Sequence, residues 1–298
     1  MDPFAPKTLA TATVAATMLA WRARRRKSLT PAGAATGFTV GFLLVATGLR
    51  GFVLFGFYQL GSMATRYKAA YKATVDATVS HASERGAVQV LCVSIVAVAL
   101  SLQHAWQHGA ERAIDFTTEP DASQLATAIL AHHAVSLADT LASELGMVSS
   151  RGNGYPRLVT QPWRSVPVGT NGGVTLTGTL WSIVGGVLVG LLTVAMDALS
   201  GISPLQAVPV AIYGGICGFV GSLIDSILGA TVQATYYDDE NKLVYHHNDH
   251  DRPASAKRLC GKPILTNAQV NLVSVACTAV VGGWFIAPWF FSLSWWKR

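Results

Sequence analysis

The amino-acid sequence predicts an all-α fold, a polytopic membrane bundle of about eight transmembrane helices. Of its 298 residues, 51% are hydrophobic and only 13% are charged, whereas an average soluble domain carries roughly 25% charged residues. The apolar residues collect in stretches close to the roughly 20 residues that cross a bilayer as a helix. Loops rich in Lys and Arg alternate with loops that lack them, as in multi-pass membrane proteins. We therefore interpret residues 1–298 as a single transmembrane domain in contact with a lipid bilayer.

About eight stretches are apolar enough to be predicted as spans. They are approximately residues 5–21, 30–48, 51–65, 88–105, 123–147, 174–197, 206–234 and 267–293. The count is good to about one span, because the second and third stretches are separated only by Leu49, Arg50 and Gly51 and can instead form a kinked pair or a re-entrant hairpin. The basic cluster 22–27 follows the first stretch. A signal peptide has its basic residues in front, so we expect this first stretch to remain as a helix.

The loops between these spans alternate in charge. Most Lys and Arg residues fall in loops 22–29, 66–87, 148–173 and 235–266. Loop 106–122 is acidic and loop 198–205 has no basic residue, so the two sets of loops are predicted to face opposite sides, the basic set towards the cytosol or its equivalent. This asymmetry accounts for the net charge of +6. We expect no nucleic-acid partner, since no basic run is interleaved with aromatic residues.

The fifth predicted span carries two carboxylates on one face. At 100° per residue, the polar side chains fall within roughly 140° of each other. They are Asp139, His132, Ser143, Ser136, Thr140, His133 and Glu144. A stripe of Ser and Thr would join helices through hydrogen bonds, and this remains the alternative interpretation. Because a charged side chain in a bilayer is costly unless it lines a cavity or meets a cation, we predict a functional site.

Asp225 is the corresponding acid of the seventh predicted span. Glycines at 215, 218 and 229 fall on its side of the helix, and small residues let a neighbouring helix approach closely. The carboxylate then needs a cation or a proton. The alternative is a protonated Asp with a structural role.

A glycine-rich loop precedes the sixth predicted span. It comprises Gly169, Thr170, Asn171, Gly172 and Gly173. Such a backbone can direct N–H groups at an anion, and the start of the following helix favours negative charge. The alternative is a plain turn. Polar and basic candidates flank the same ends of the spans, namely Arg157, Arg164, Lys262, Asn267 and Asn271.

Together these residues form the parts of a phosphoryl-transfer site. Asp139, Glu144 and Asp225 are predicted to hold Mg²⁺ and, with Lys262, to be catalytic. The glycine loop, Arg157, Arg164, Asn267 and Asn271 are predicted to bind nucleotide and substrate phosphates. The four cysteines, Cys92, Cys217, Cys260 and Cys277, show neither disulfide-framework nor zinc-site spacing.

Five stretches resemble the signature blocks of the transmembrane protein 19 family. They are ADTLASELG (138–146), PRLVT (156–160), PWRSVPVGTNGGVT (162–175), GSLIDSILGATVQ (221–233) and GKPILTNAQVNLVS (261–274). The likeness extends over a core of about 30–293. This family includes plant phytyl-phosphate kinases of the vitamin E pathway and is distantly similar to phytol and dolichol kinases. The resemblance implies a polytopic membrane protein that transfers a phosphoryl group from CTP, or another nucleoside triphosphate, to an isoprenoid monophosphate.

Two departures from the family pattern stand out. Ala138 replaces a glycine that the family usually has before the aspartate. The polar loop 236–260 matches no family block, and its His246, His247, Asp249 and His250 predict a solvated loop, with zinc binding or nucleotide sensing as the alternative.

The sequence leaves two classes of function open. The first is a prenyl-phosphate kinase whose partner is a lipid phosphate, in the endoplasmic reticulum or another organelle membrane, plastid and mitochondrial membranes included. The second is a non-enzymatic multi-pass protein, either a transporter or a structural subunit of a membrane complex. A transporter usually shows inverted repeats and a site near the midplane, whereas the candidate residues here collect towards one end of the spans.

Overall fold

The computed structural model describes residues 1–77, 84–153, 155–203, 207–247, 249 and 251–293. The chain is mostly helical. Its helices are α1 Pro6–Arg25, α2 Pro31–Thr47, α3 Val53–Arg66, α4 Ala69–Lys72, α5 Ala87–Cys92, α6 Ile95–His108, α7 Pro120–Asn153, α8 Leu176–Leu199, α9 Ala207–Val232, α10 Asn267–Val280 and α11 Ala287–Ser292. A short 3₁₀ segment, Leu49–Phe52, joins α2 to α3, and a π-helical turn, Val281–Ile286, joins α10 to α11.

Four helical stretches in the described part of the chain are long and apolar enough to cross a membrane. They are Pro120–Ser149, Leu176–Leu199, Ala207–Val232 and Asn267–Ser292. The other four predicted spans are helical but fall short of that standard, so the count of eight is not confirmed. Helix α2 has 17 residues and α3 has 14. The fourth predicted span is broken between α5 and α6 at Val93 and Ser94.

Helix α7 lies at the centre of the bundle. It packs against α3, α6, α8, α9 and α10. Helices α8 and α9 approach each other through glycines: a Cβ atom on Gly186 would lie 2.1 Å from the carbonyl oxygen of Gly214, and one on Gly214 would lie 2.4 Å from that of Gly186. No other residue fits this crossing, so the small residues of these two helices set their distance.

The four basic loops meet at one end of the bundle, consistent with the grouping that their charge predicts. Three contacts connect them: the Arg24–Glu84 ion pair, the hydrogen bond from Val244 N to Val75 O, and the hydrogen bond from Arg164 Nη2 to Leu259 O. We call this the basic end.

An ion-pair network lies at the opposite end. Arg50, in the 3₁₀ segment, donates from Nε to Asp197 Oδ1 at 2.6 Å and from Nη2 to Asp197 Oδ2 at 3.0 Å. Its backbone N–H donates to Glu111 Oε1 at 2.8 Å. The pair joins the α2–α3 connection to the end of α8 and to loop 106–122. A bidentate pair that is mostly shielded from water gives this end a defined geometry.

Two small antiparallel sheets at the basic end correct the all-α prediction. The first has the order β2-β1-β3, with β1 Arg157–Leu158, β2 Gln161–Ser165 and β3 Gly173–Val174. The second has the order β5-β4-β6, with β4 Thr235–Asp238, β5 Leu243–His246 and β6 Lys257–Cys260. Aromatic and β-branched residues favour these strands. The polar loop 236–260 therefore contains a folded hairpin.

Candidate functional site

A cavity of about 700 Å³ opens among α7, α9, α10 and the loops of the basic end. Ten of the thirteen predicted site residues line it: Asp139, Glu144, Asp225, Gly169, Thr170, Asn171, Gly172, Gly173, Asn267 and Asn271. Apolar residues of α1, α2, α3 and α5 form another part of the wall, among them Leu19, Val40, Leu54, Phe57 and Val90. One continuous space thus has a polar side and an apolar side.

Asp139 and Asp225 are the central acids of this cavity. Both are half-buried, and they are close enough to interact electrostatically. Asp225 Oδ2 accepts a hydrogen bond from Ser274 Oγ at 3.0 Å, whereas the Asp139 carboxylate has no hydrogen-bond partner among the described residues. Close helix packing beside Ala138 brings the acids together, since a Cβ atom on Gly218 would lie 3.0 Å from the Ala138 Cβ atom.

This pair fits Mg²⁺ better than the predicted set of three acids does. Proteins usually hold Mg²⁺ through one or two carboxylates, with water and substrate phosphates completing the octahedron. Asp139, with an unpaired carboxylate, and Asp225 meet that requirement. In the described part of the chain, no three His, Cys, Asp or Glu side chains form a group that could hold a metal ion.

Glu144, the third predicted magnesium ligand, is instead bound to a lysine. Lys72 Nζ lies 2.5 Å from Glu144 Oε2 and also donates to the carbonyl oxygens of Ala64 at 3.0 Å and Thr65 at 2.6 Å. The Lys72 side chain is completely buried. The charge of Glu144 is therefore neutralised by the protein. Sequence reasoning missed Lys72, because nothing local distinguishes it from the other lysines of its loop.

The glycine loop offers fewer free N–H groups than predicted. The N–H groups of Thr170, Asn171 and Gly173 donate to Pro167 O, Thr235 Oγ1 and Thr170 O. Within the described residues, the N–H groups of Gly169 and Gly172 have no such acceptor. Gly172, at a φ of +73°, packs against α9, where a Cβ atom would lie 2.5 Å from the Ala230 Cβ atom. The loop is thus partly a structural turn that packs against α9.

The three predicted cations of the site do not line the cavity. Arg157 donates to Pro162 O at 2.9 Å and Arg164 to Leu259 O at 3.0 Å, so both side chains brace the small sheets. Lys262 is exposed, and its backbone N–H donates to Thr231 O. Among the described residues, Arg85 is the one arginine or lysine that lines the cavity.

The histidine-rich loop reaches the cavity, contrary to the solvated-loop interpretation. His246, His247 and Asp249 line the wall, and His250 lies outside the described residues. His246 Nδ1 is 3.1 Å from Asn171 Nδ2, and its Nε2 is 3.5 Å from Asp76 Oδ2. Burial by itself lowers the pKa of His246, but the hydrogen bond and charge of Asp76, together with Asp249, raise it above its ordinary value of 6.5.

Comparison with known proteins assigns this chain to a protein family. The model of a family described as Integral membrane protein DUF92 matches residues 14–279. The chain belongs to this family. The resemblance to the transmembrane protein 19 family, predicted from the sequence blocks, is confirmed by this match and by the plant relative. The DUF92 assignment supports an integral, multi-pass membrane protein.

Relatives of this DUF92 protein occur in plants, cyanobacteria and archaea. Protein PGR of Arabidopsis thaliana is 33% identical over 283 residues, which cover 90% of this chain and 92% of the relative. An uncharacterised membrane protein of Synechocystis is 28% identical over 212 residues, 70% of this chain and 73% of its own length. One of Methanocaldococcus jannaschii is 28% identical over 149 residues, 50% of this chain and 46% of its own length. No solved structure matches the chain.

Proposed function

We propose that this DUF92 protein is a membrane-embedded isoprenoid-phosphate kinase. It transfers a phosphoryl group from CTP, or another nucleoside triphosphate, to phytyl or another prenyl monophosphate, and the product is the diphosphate. The observation that carries the proposal is the shared cavity, in which Asp139 and Asp225 face the same space as an apolar wall. A lipid phosphate likewise combines a charged phosphate group with an apolar chain. We further propose that the protein resides in the endoplasmic reticulum or another organelle membrane.

The protein does not have to supply a covalent intermediate or a general base for this reaction. A phosphate monoester has a second pKa of about 6, so at neutral pH the acceptor is already a dianion and a nucleophile. Catalysis then consists of positioning two polyanions and offsetting their charge. Mg²⁺ held by Asp139 and Asp225 supplies positive charge at the donor phosphates when it is bound.

The side chains of the polar wall have separate tasks in this scheme. Arg85 and the N–H groups of Gly169 and Gly172 attract phosphate oxygens. Asn267 and Asn271, four residues apart at the start of α10, orient donor groups through their amides. Lys72 neutralises Glu144, so the wall does not add a third uncompensated carboxylate beside the phosphates.

The central test is product formation by the purified protein in lipid nanodiscs. The protein is incubated with Mg²⁺, CTP or ATP, and a panel of prenyl monophosphates. We expect a prenyl diphosphate that depends on Mg²⁺ and on both substrates. If the panel yields no diphosphate, while vesicles containing the protein take up one of these compounds, the transporter alternative replaces the kinase.

Two variants connect the activity to the acids. We expect Asp139→Asn and Asp225→Asn to lower the rate at least about 10²-fold, the scale for losing one electrostatic contributor to a transition state. Without ligand, each variant should be as thermostable as the parent, because neutralising one of two facing carboxylates removes repulsion. With Mg²⁺ and nucleotide, the parent should gain more stability than the variants.

The control is Asp239→Asn, an exposed acid outside the cavity. It should leave both the rate and the ligand-induced stabilisation unchanged. An active Asp139→Asn protein with full ligand stabilisation would remove Asp139 from the site, and the same result at Asp225 would contradict the proposed use of the cavity.

A further inference from the structure

Three segments of the basic end converge on His246. The residue lies at the end of strand β5, where its partner across the sheet is Thr235. Its backbone N–H donates to Asp249 Oδ2 at 2.6 Å. Its ring lies between Asp76, from the segment after α4, and Asn171 of the glycine loop. The hairpin, the glycine loop and the 73–77 segment are thus held together by one imidazole.

The contacts of the ring define the tautomer of neutral His246. An amide NH₂ group only donates, so Nδ1 must accept the hydrogen bond from Asn171 Nδ2. The ring proton is therefore on Nε2 and is donated to Asp76 Oδ2. Asn171 lines the cavity, and its Oδ1 has no hydrogen-bond partner among the described residues. In this state the amide oxygen of Asn171 is the side-chain atom that can contact a ligand.

Protonation of Nδ1 reverses the hydrogen bond to Asn171. An imidazolium donates from both nitrogens, so Asn171 must then turn its amide and present Oδ1 to the ring. Its NH₂ group becomes free for a phosphate oxygen. We propose that His246 is a positioning residue whose protonation converts Asn171 from a hydrogen-bond acceptor into a donor towards an anion in the cavity. The proton comes from solvent and returns to solvent when the anion leaves.

Charged neighbours make this change reachable near neutral pH. Asp76 faces the ring from the segment after α4, Asp249 and His247 lie on its own hairpin and turn, and Cys260 Sγ, on β6, contacts the carbonyl oxygen of Asn171. The two carboxylates favour the imidazolium. Protonation and anion binding are then coupled, and each must strengthen the other by the same factor.

A binding experiment tests this coupling, which rests on the proposed nucleotide site. Calorimetry of Mg·CTP binding is run in buffers of different ionisation enthalpy at several pH values. The wild type should take up more protons than His246→Gln. Its affinity should fall as the pH rises from the pKa of His246 in the free protein to the higher pKa in the complex, by up to about tenfold per pH unit. In His246→Gln, whose amide does not titrate, this component of the pH dependence should vanish.

Asp239→Asn is the matched control, since Asp239 is exposed on the same hairpin and does not line the cavity. It should retain the proton uptake of the wild type. Asp76→Asn removes the carboxylate that favours the imidazolium. In this variant the affinity should therefore begin to fall at a lower pH. Equal proton uptake by wild type and His246→Gln overturns the inference.

A measurement without nucleotide separates this inference from the proposed function. In nanodiscs, NMR of selectively labelled histidine and asparagine follows His246 and the Asn171 side-chain amide during a pH titration. We expect the Asn171 amide signals to shift with the same midpoint as the His246 ring. If Mg·CTP fails to bind but the two residues titrate together, the nucleotide site is wrong and the coupling is right. If His246 titrates while the Asn171 amide stays unchanged, the coupling is wrong whatever binds.

Discussion

Lys72 shows how one side chain can redefine a site at the residue scale. The ammonium group is completely buried and is satisfied by Glu144 and two backbone carbonyls. Removing one partner of a buried pair leaves an uncompensated charge, which is far more destabilising than losing a surface pair. The pair joins the segment after α3 to the cavity wall of α7. Its loss should therefore act mainly on folding stability and only secondarily on the reaction rate.

We expect Glu144→Gln to lower the free energy of unfolding by about 3–5 kcal/mol, the usual range for breaking a buried ion pair. The double variant Lys72→Met with Glu144→Gln should recover part of that loss, because no buried charge is left. Thermal unfolding in nanodiscs measures both. Asp239→Asn, which breaks the exposed pair with Lys257, serves as control and should change stability by less than about 1 kcal/mol. A Glu144→Gln protein as stable as the control would contradict the structural role of the pair.

His246 makes a separate contribution to stability that depends on pH. Its folded-state pKa lies above its ordinary value of 6.5, so folding favours the protonated form. The resulting stabilisation is complete below pH 6.5 and is lost as the pH rises through the folded-state pKa. We therefore expect thermal stability to fall as the pH rises from 6.5 through the folded-state pKa of His246, and to fall less in Asp76→Asn. An unchanged pH profile in Asp76→Asn would exclude this carboxylate as the cause.

At the scale of single residues, the sequence analysis singled out residues that are unusual by themselves. A carboxylate within an apolar stretch is conspicuous, and Asp139 and Asp225 do line the same cavity. The structure does not bring Arg157, Arg164 and Lys262 to this cavity, because they brace strands or face solvent. Lys72 and Asp76 were missed because their partners are far away in sequence: Glu144 is 72 residues from Lys72, and His246 is 170 residues from Asp76.

At the scale of elements, the glycine loop and α9 form one packed unit. Gly172 combines a left-handed φ of +73° with contact to the backbone and side chain of α9. Gly109 has nearly the same φ, +72°, but nothing lies within 4 Å of where its Cβ atom would be. The two positions therefore separate backbone strain from steric clash.

We predict that Gly109→Ala lowers stability by about 1–3 kcal/mol, the cost of holding a residue with a Cβ atom in a sparsely populated backbone region at positive φ. Gly172→Ala should lose clearly more, because the new methyl group would lie 2.5 Å from the Ala230 Cβ atom and 2.6 Å from Ser226 O. Thermal unfolding of the two variants provides the comparison. Equal losses would mean that the loop can move away from α9.

The helices were more predictable than the sheets. Each predicted span contains helix, since an apolar stretch in a membrane must satisfy its backbone internally. The strands of loops 148–173 and 235–266 pair across stretches of polar residues. Strands of two to five residues are too short to show the alternation of apolar and polar side chains from which a strand is predicted. The short helices α2, α3 and α6, together with the 20-residue but less apolar α1, explain why a count based on apolar stretches exceeds the four long spans.

At the scale of the whole molecule, the bundle has two chemically different ends. Contacts join the loops of the basic end to one another, whereas Arg50, Asp197 and Glu111 join the elements of the other end. Charge alternation along the sequence predicted this grouping, because positive loops share one side of a membrane.

Cysteine labelling of intact vesicles checks the arrangement. In a background without the four native cysteines, Arg26→Cys and Glu240→Cys should react with a membrane-impermeant maleimide from the same side. Ala113→Cys should react from the other side. All three residues are exposed, so access to the reagent depends on the bilayer alone. Labelling of Ala113→Cys together with Glu240→Cys would place the two ends in the same compartment and overturn the arrangement.

The Arg50 network has a consequence for the lipid that the proposed reaction modifies. It ties α2, α8 and loop 106–122 together at the end away from the acids, the glycine loop and Arg85. A prenyl monophosphate would therefore meet the nucleotide with its headgroup at the basic end and its chain against the apolar wall. Product and substrate would belong to the same leaflet. Such an enzyme would convert lipid within one monolayer, and no headgroup would have to cross the bilayer during turnover.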